Sequence, residues 1–335
     1  MGQNQPAVRK RIAILPTVLL VVLLSFLIMP FAVNAAESKF PTKPIQVVVP
    51  YQPGGPTDIT SRILTKKVTA LLGQPVVVVN KPGGATAIGT QSVLAAPADG
   101  YTVLAAELSL ITLPLITKNV GFTLQDFIAF NLATSAPLTL IVKKDAPWRN
   151  LDELVADAKK NPGKISYSTA GPGSISRFTG ELFQKATGAQ ITQVPMNGAA
   201  PAVTAVLGGH VSMSFMGLQV IQSHLQAGTL RGLAVMYDKR HKDFPNIPTV
   251  AEQGYKGMHS AVYVPFLVSA KTPADVVKRL SDVFHAAMQD KEVIEMCEQA
   301  GFVVENLAHE QAQKYVTEDQ KRWAEVAKAA NIVPK

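Results

Sequence analysis

The first pattern along the chain is unbroken apolarity. No charge interrupts Ile12 to Phe31, and Arg9, Lys10 and Arg11 stand just before it. Ala32-Val33-Asn34-Ala35-Ala36 follows. A basic start, an apolar stretch and a small-residue site read as a secretory leader over residues 1–35, cut after Ala35. The competing reading is a retained anchor, since a span needs roughly 17–25 apolar residues. Pro16, Pro30 and the small-residue site favour cleavage. No cysteine follows the stretch, which excludes a lipoprotein anchor. The product expected is a soluble, exported, periplasmic protein.

Beyond the leader, short apolar runs alternate with helical stripes. Ile45–Val49 predicts a buried strand ending at Pro50. Pro53-Gly54-Gly55-Pro56 is a turn, and Ile59, Ile63, Val68, Leu71 and Leu72 share one face of a helix over Asp58–Leu72, stopped by Gly73 and Pro75. Val76–Val79 and Tyr101–Ala106 predict further strands, with a helix near Ala87–Ala95 between them. This βαβαβ order predicts a parallel sheet covered by helices. The logic repeats: strands at Leu138–Val142, Ile165–Ser168, Ile191–Val194, Val211–Phe215 and Leu230–Val235, and helices from Asn150, over Ser174–Thr187, Ala199–Leu207 and Gln219–Gln226. Two α/β units result. Their boundary lies near Ala129–Pro137, where a strand-like segment runs on between them without a flexible linker. The last third reads as mostly helical. Thr272-Pro273-Ala274-Asp275 has the form of a helix cap, and His309–Ala330 is a long amphipathic helix.

Composition narrows the function. A chain of 335 residues with 47% hydrophobic and 17% charged residues is not disordered. Its single cysteine, Cys297, excludes a disulfide framework and a cysteine zinc cluster, and is expected to be buried. The net charge of +8 includes the three bases of the leader. The remaining bases are scattered, with no aromatic interleaving to suit nucleic acid. None of the six histidines shows ligand spacing, so no metal is expected, and there is no G-x-S-x-G elbow. Gly83-Gly84-Ala85-Thr86-Ala87-Ile88-Gly89 lacks the dinucleotide spacing and reads as a tight turn. No cofactor is expected.

Two glycine turns remain, Pro53–Asp58 and Ala170-Gly171-Pro172-Gly173-Ser174. Each presents a helix N-terminus beyond the C-terminal end of a strand, the edge at which open α/β sheets bind ligands. Spacing alone leaves ordinary βα turns and anion sites equally open. Asp58 could cap its own helix. Arg177, one turn into the second helix, could pair with a carboxylate or lie on a solvated face.

These residues carry a resemblance. Phe40-Pro41-Thr42-Lys43-Pro44-Ile45, Val49-Pro50-Tyr51-Gln52-Pro53-Gly54-Gly55, Leu72-Gly73-Gln74-Pro75-Val76, Asn80-Lys81-Pro82-Gly83 and Ala98-Asp99-Gly100-Tyr101-Thr102 form the first part of it. Asn161-Pro162-Gly163-Lys164, Gly180-Glu181-Leu182-Phe183, Leu207-Gly208-Gly209, Pro248-Thr249-Val250-Ala251-Glu252 and Lys328-Ala329-Ala330-Asn331-Ile332 continue it in order to the C-terminus. The chain resembles the solute receptors of tripartite tricarboxylate transporters, the Bug-type periplasmic binding proteins. The resemblance implies an α/β two-lobed clamshell of the type II, Venus-flytrap class, with a mixed or parallel sheet in each lobe. Residues 36–132 with 236–335 would form one lobe and 133–235 the other. It implies no catalysis, a monomer, a small organic carboxylate as ligand and the transporter's membrane subunits as partners. The ligand contacts it implies are Tyr51, Gly54, Gly55, Thr57, Asp58, Ala106, Glu107 and Ser109 on one lobe. On the other they are Gly173, Ser174, Ile175, Met196, Asn197, Phe215, Met216 and Gly217, joined by Arg177.

Three positions depart from the family pattern: Arg177 stands where His is common, Met196-Asn197 where Tyr-Lys is usual, and Met216 where Asp is frequent. They predict a less acidic, more apolar pocket for an aromatic or medium-chain acid. Glu107 is expected to point away or to accept from a ligand donor. A sensor subunit docking on a membrane kinase is the alternative, and an exported hydrolase or lyase on the same scaffold a further one, which would need a positioned base.

Overall fold

Ile45–Val49 forms strand β1, covered on both sides except at Gln46, as a run of β-branched residues in the middle of a parallel sheet should be. A computed structural model describes residues 1–2 and 40–332 of the chain. Apart from Met1 and Gly2, the expected leader and its expected cleavage site lie outside the described residues. After β1 come α1 (Pro56–Leu72), β2 (Val76–Asn80), a 3-10 turn at Gly84–Thr86, α2 (Ala87–Leu94), β3 (Thr102–Ala105) and α3 (Ser109–Ile116). Then follow β4 (Phe127–Lys143), α4 (Leu151–Lys160), β5 (Ser166–Thr169), α5 (Ile175–Thr187), β6 (Thr192–Pro195), α6 (Ala199–Leu207), β7 (Met213–Gly217), α7 (Leu218–Gln226) and β8 (Leu230–Val235). The chain closes with β9 (Ala261–Ser269), α8 (Ala274–Ala287), α9 (Lys291–Gln299), β10 (Val303–Ala308) and α10 (His309–Ala329).

The strands fall into two groups joined by β4. In the first, β2, β1 and β3 are parallel neighbours, β3 pairs antiparallel with β9, and β9 and β10 both pair antiparallel with β4. In the second, β6, β5 and β7 are parallel neighbours, and β7 and β8 flank the other end of β4 antiparallel. The changeover is at Pro137. Pro137 is the last β4 residue paired with β9, opposite Ala261, and Leu138 the first paired with β7, opposite Gly217. Proline has no N–H to give a ladder, so it suits the point where one partner strand ends.

The expected elements from β1 to β8 are present to within a few residues. Gly73 and Gly188 end α1 and α5 in the left-handed conformation, and Asn150 caps α4 by accepting the Glu153 N–H at 2.9 Å. The expected strand at Leu138–Val142 and the strand-like segment at Ala129–Pro137 are one 17-residue strand, Phe127–Lys143. Asn131, Thr134 and Ser135 in its first half are fully covered and hydrogen-bonded, for example Thr134 to Thr60 at 2.9 Å. Two readings need correction. The last third is not mostly helical, since β9 and β10 lie in it. Thr272 does not cap α8, whose N-cap is Pro273, and the Thr272 hydroxyl is buried without a partner.

The core is continuous across β4. Phe130, Phe266 and Phe284 stack at ring distances of 5.0 Å, and Phe178 meets Trp323 of α10 edge-on at 5.8 Å. A separate apolar cluster under α6 and α7 contains Ile141, Ala202, Val206, Met216 and Ile221. Cys297 is fully covered, and burial pushes its thiol up to about 12, so it packs as an apolar residue.

Candidate functional site

Strands β5, β6 and β7 run parallel, so the loops that follow them leave from one edge. Each leads straight into a helix: α5 after Ser174, α6 after Gly198, α7 after Gly217. None of the three helices has a side-chain cap, so their positive dipole ends face that edge, although the start of α7 is packed on Gly301 and the Gln219 side chain. The Gly171 and Met196 loops touch, because a Cβ on Gly171 would lie 3.6 Å from the Met196 carbonyl. Around the α5 turn, Ser174 Oγ donates to the Gly171 carbonyl at 2.7 Å and lies 3.0 Å from Ser176 Oγ, which accepts the Ala170 N–H. The turn thus carries hydroxyls and no acid. Gly180, one turn further along α5, allows the helix to lie on Tyr167: a Cβ there would meet the ring at 2.3 Å.

The opposite group is built differently. α1 begins at Pro56, with Gly55 as an N-cap that offers no side chain. Asp58 does not cap it. Instead its carboxylate accepts the Gly54 N–H at 2.9 Å, pairs with Arg62 at 2.9 Å and accepts from Asn80 at 3.0 Å. Burial pushes this carboxyl up, but the bonds from Arg62, Gly54 and Asn80 outweigh it and hold it below the usual range. Glu107 turns toward α1 rather than away from it. Thr57, in the first turn, donates both its hydroxyl and its backbone N–H to the Glu107 carboxylate. Burial nevertheless pushes Glu107 up to about 7, against the pull of those two bonds. Beside it, Tyr51 bonds to Ser109 and takes the Glu107 N–H on its hydroxyl. Burial and the nearby Glu107 charge hold that phenol well above its ordinary range.

Two residues of this neighbourhood escaped sequence reasoning. Thr86 adopts φ 91°, a conformation that β-branched residues rarely take, and its hydroxyl reaches Ser109 at 3.3 Å. Thr112 of α3 donates to the Gly173 carbonyl at 2.6 Å. That bond ties α3, whose first residue meets Tyr51, to the α5 turn in the other strand group. The run Ser109–Ile116 carries no helical stripe, because it is buried nearly all round.

The expected residues are therefore not all brought together. Tyr51, Thr57, Glu107 and Ser109 form one cluster around the start of α1, with Gly54, Gly55, Asp58 and the buried Ala106 adjoining it. Gly173, Ser174 and Ile175 form the α5 turn, and Met196 and Asn197 precede α6. Three of the expected contacts have side chains engaged elsewhere. The Phe215 ring is fully covered, 6.0 Å from Tyr167 and 5.7 Å from Phe183. Met216 points to the opposite face of β7 and lies in the second apolar cluster. A strand covered by helices on both faces leaves only backbone at its end, so of residues 215–217 it is the Gly217 N-cap that reaches the edge. Arg177 folds back to donate to the Pro172 carbonyl at 2.9 Å and stands beside Glu181, with its Nε buried and without a partner. No group of acids, His or Cys among the described residues could hold a metal ion.

Residues 60–332 match the family described as the tripartite tricarboxylate transporter family receptor. Over 300 residues the chain is 32% identical to Protein BugT of Bordetella pertussis, which covers 89% of this chain and 92% of that protein. The structure of R. palustris Rpa4515 with adipate is similar at a TM-score of 0.82 and 29% identity, over 88% of this chain and 100% of the other. That of MatC from Rhodopseudomonas palustris with bound malate is similar at 0.78 and 25%, over 86% and 99%. Match and architecture agree along the chain: it belongs to the receptor family of the tripartite tricarboxylate transporters, as an α/β, two-lobed solute-binding protein and not an enzyme.

Proposed function

We propose that this receptor is exported to the periplasm, loses residues 1–35, and captures a small organic carboxylate as a monomer for delivery to transporter membrane subunits. Residues 36–132 with 236–335 would be one lobe and 133–235 the other, closing on the ligand by a hinge motion. The observation that carries the reading is the edge formed by β5, β6 and β7, where three helices begin without side-chain caps. An anion placed there meets backbone N–H groups and positive dipole ends. The ligand carboxylate sits at Gly173-Ser174-Ile175, with Asn197 and Gly217 to its side and Tyr51, Glu107 and Ser109 across the cleft. Similar receptors that hold adipate and malate support a carboxylate.

The ligand carries an apolar body, of aromatic or medium-chain type. The support is that Leu113 and Ile116 of α3 lie against Gly173, 3.8 and 3.9 Å from where its Cβ would be. Mass spectrometry of the ligand co-purified with the protein tests this, followed by a thermal-shift panel. Medium-chain and aromatic acids should raise the melting temperature, and their amides should not. If citrate and malate alone stabilise the protein, the apolar ligand class is wrong. A co-purified compound that is converted on standing would overturn the receptor reading itself.

A further inference from the structure

Glu107 occupies the seat that the start of α1 would offer an incoming carboxylate. Thr57 spends both its N–H and its hydroxyl there on the chain's own acid. Asp58 is a second carboxylate at the same helix end, but Arg62 and Asn80 neutralise and bind it. No ion pair involves Glu107 among the described residues. Its recorded partners are the Thr57 groups, with the Tyr51 hydroxyl alongside. A half-buried carboxylate without a counter-ion is costly, and a second carboxylate brought beside it would be repelled. A ligand ammonium would supply the missing charge and a directed donor at once. The α5 turn has the opposite character, with hydroxyls and a first turn that no side chain caps, but no acid.

We propose that Glu107 sets specificity: it selects carboxylates that carry an ammonium group at the end remote from the carboxylate, and rejects dicarboxylates. This rests on the receptor reading above. The ligand then lies polarised, its carboxylate on α5 and its ammonium on Glu107, with α3 alongside as the element that touches both turns through Ser109 and Thr112.

The test is isothermal titration at pH 8 of the wild type and Glu107→Gln with two matched pairs. These are 6-aminohexanoate against adipate and 4-(aminomethyl)benzoate against terephthalate. The wild type should bind the amino acid of at least one pair about tenfold or more tighter than its diacid, the scale of a charge-assisted bond. E107Q should erase or invert that order while keeping the wild-type circular dichroism spectrum. Diacid preference in the wild type overturns the Glu107 assignment alone and leaves carboxylate capture standing. A preference that survives E107Q unchanged does the same. The wild-type ordering decides the matter even if E107Q does not fold. No heat with any of the four acids overturns the Glu107 assignment together with the medium-chain or aromatic ligand class, and leaves carboxylate capture to the thermal-shift panel.

Discussion

The starts of α1 and α5 are the same device put to opposite use. Both follow a glycine turn at the C-terminal end of a parallel strand, and both lack a side-chain cap. Around α1 the fold supplies its own anions: Glu107 takes the Thr57 hydroxyl of the first turn, and Asp58 takes the Gly54 N–H just before it. Around α5 it supplies only Ser174 and Ser176, and no acid meets that helix end. The difference teaches that a helix N-terminus marks an anion site only after the chain's own carboxylates have been placed.

The sharpest way to break this contrast is to copy α1 onto α5. Ser174→Asp puts a carboxylate at the α5 N-cap. It should cut carboxylate affinity by about a hundredfold or more, by repulsion at short range. It should also leave the fold intact or stabilise it by about 0.5–1 kcal/mol through the cap. Titration calorimetry and urea unfolding read the two effects separately, and unchanged affinity would mean that the α5 turn is not the anion seat.

Next in size is Gly180→Ala, which forces a methyl group to within 2.3 Å of the Tyr167 ring and pushes α5 off its sheet. Overpacking of this kind should cost about 1–3 kcal/mol in urea unfolding. Ligand affinity should fall with it, because the α5 turn moves too.

Glu107 gives the contrast a pH signature. Its folded-state value of about 7 lies above the ordinary carboxyl value of 4.5. Between these the folded chain holds a proton that the unfolded chain has released. Stability therefore falls as pH rises through this window and levels off above about 7, by about 1–3 kcal/mol in all. Urea unfolding of the ligand-free protein at pH 5 and pH 8 should show a larger fall for the wild type than for E107Q. Equal falls would mean that Glu107 is well solvated and not held against α1.

The smallest effect is expected of Thr112→Val, which removes the bond to the Gly173 carbonyl and should cost about 1 kcal/mol. If α3 tunes the α5 turn rather than merely packing on it, ligand affinity should also fall severalfold.

Much of this was legible in the residues because one-sided patterns are local. The β1 run, the Asn150 cap and the closing glycines Gly73 and Gly188 each declare an element within a few positions. Fully buried elements declare less. Ser109–Ile116 is apolar all round, and β9 reads Ala261–Ser269 without alternation. The first half of β4 hides polar residues whose partners, Thr60, Glu305 and Leu307, lie far along the chain. The site was legible at its glycine turns and opaque at its side chains. Tyr51, Thr57 and Ser109 lie together around the start of α1, and Glu107 was expected either to turn away or to await a donor. Nothing local announced that it would fill the start of α1, or that Phe215 and Met216 would face two different cores.

The shared strand β4 has a consequence for how the chain acquires its structure. The first strand group cannot be completed until the last third of the chain arrives. β3 finds its outer partner only when β9 arrives, and β9 in turn pairs with the same 17-residue strand that carries β7 and β8. A chain delivered from its N-terminus must keep β1, β2 and β3 waiting until residue 269 has emerged. Such long-range closure makes folding slow and all-or-none. In a chain cut short before β9, β1, β2 and β3 should stay protease-sensitive, because the strand that joins them to β4 is missing.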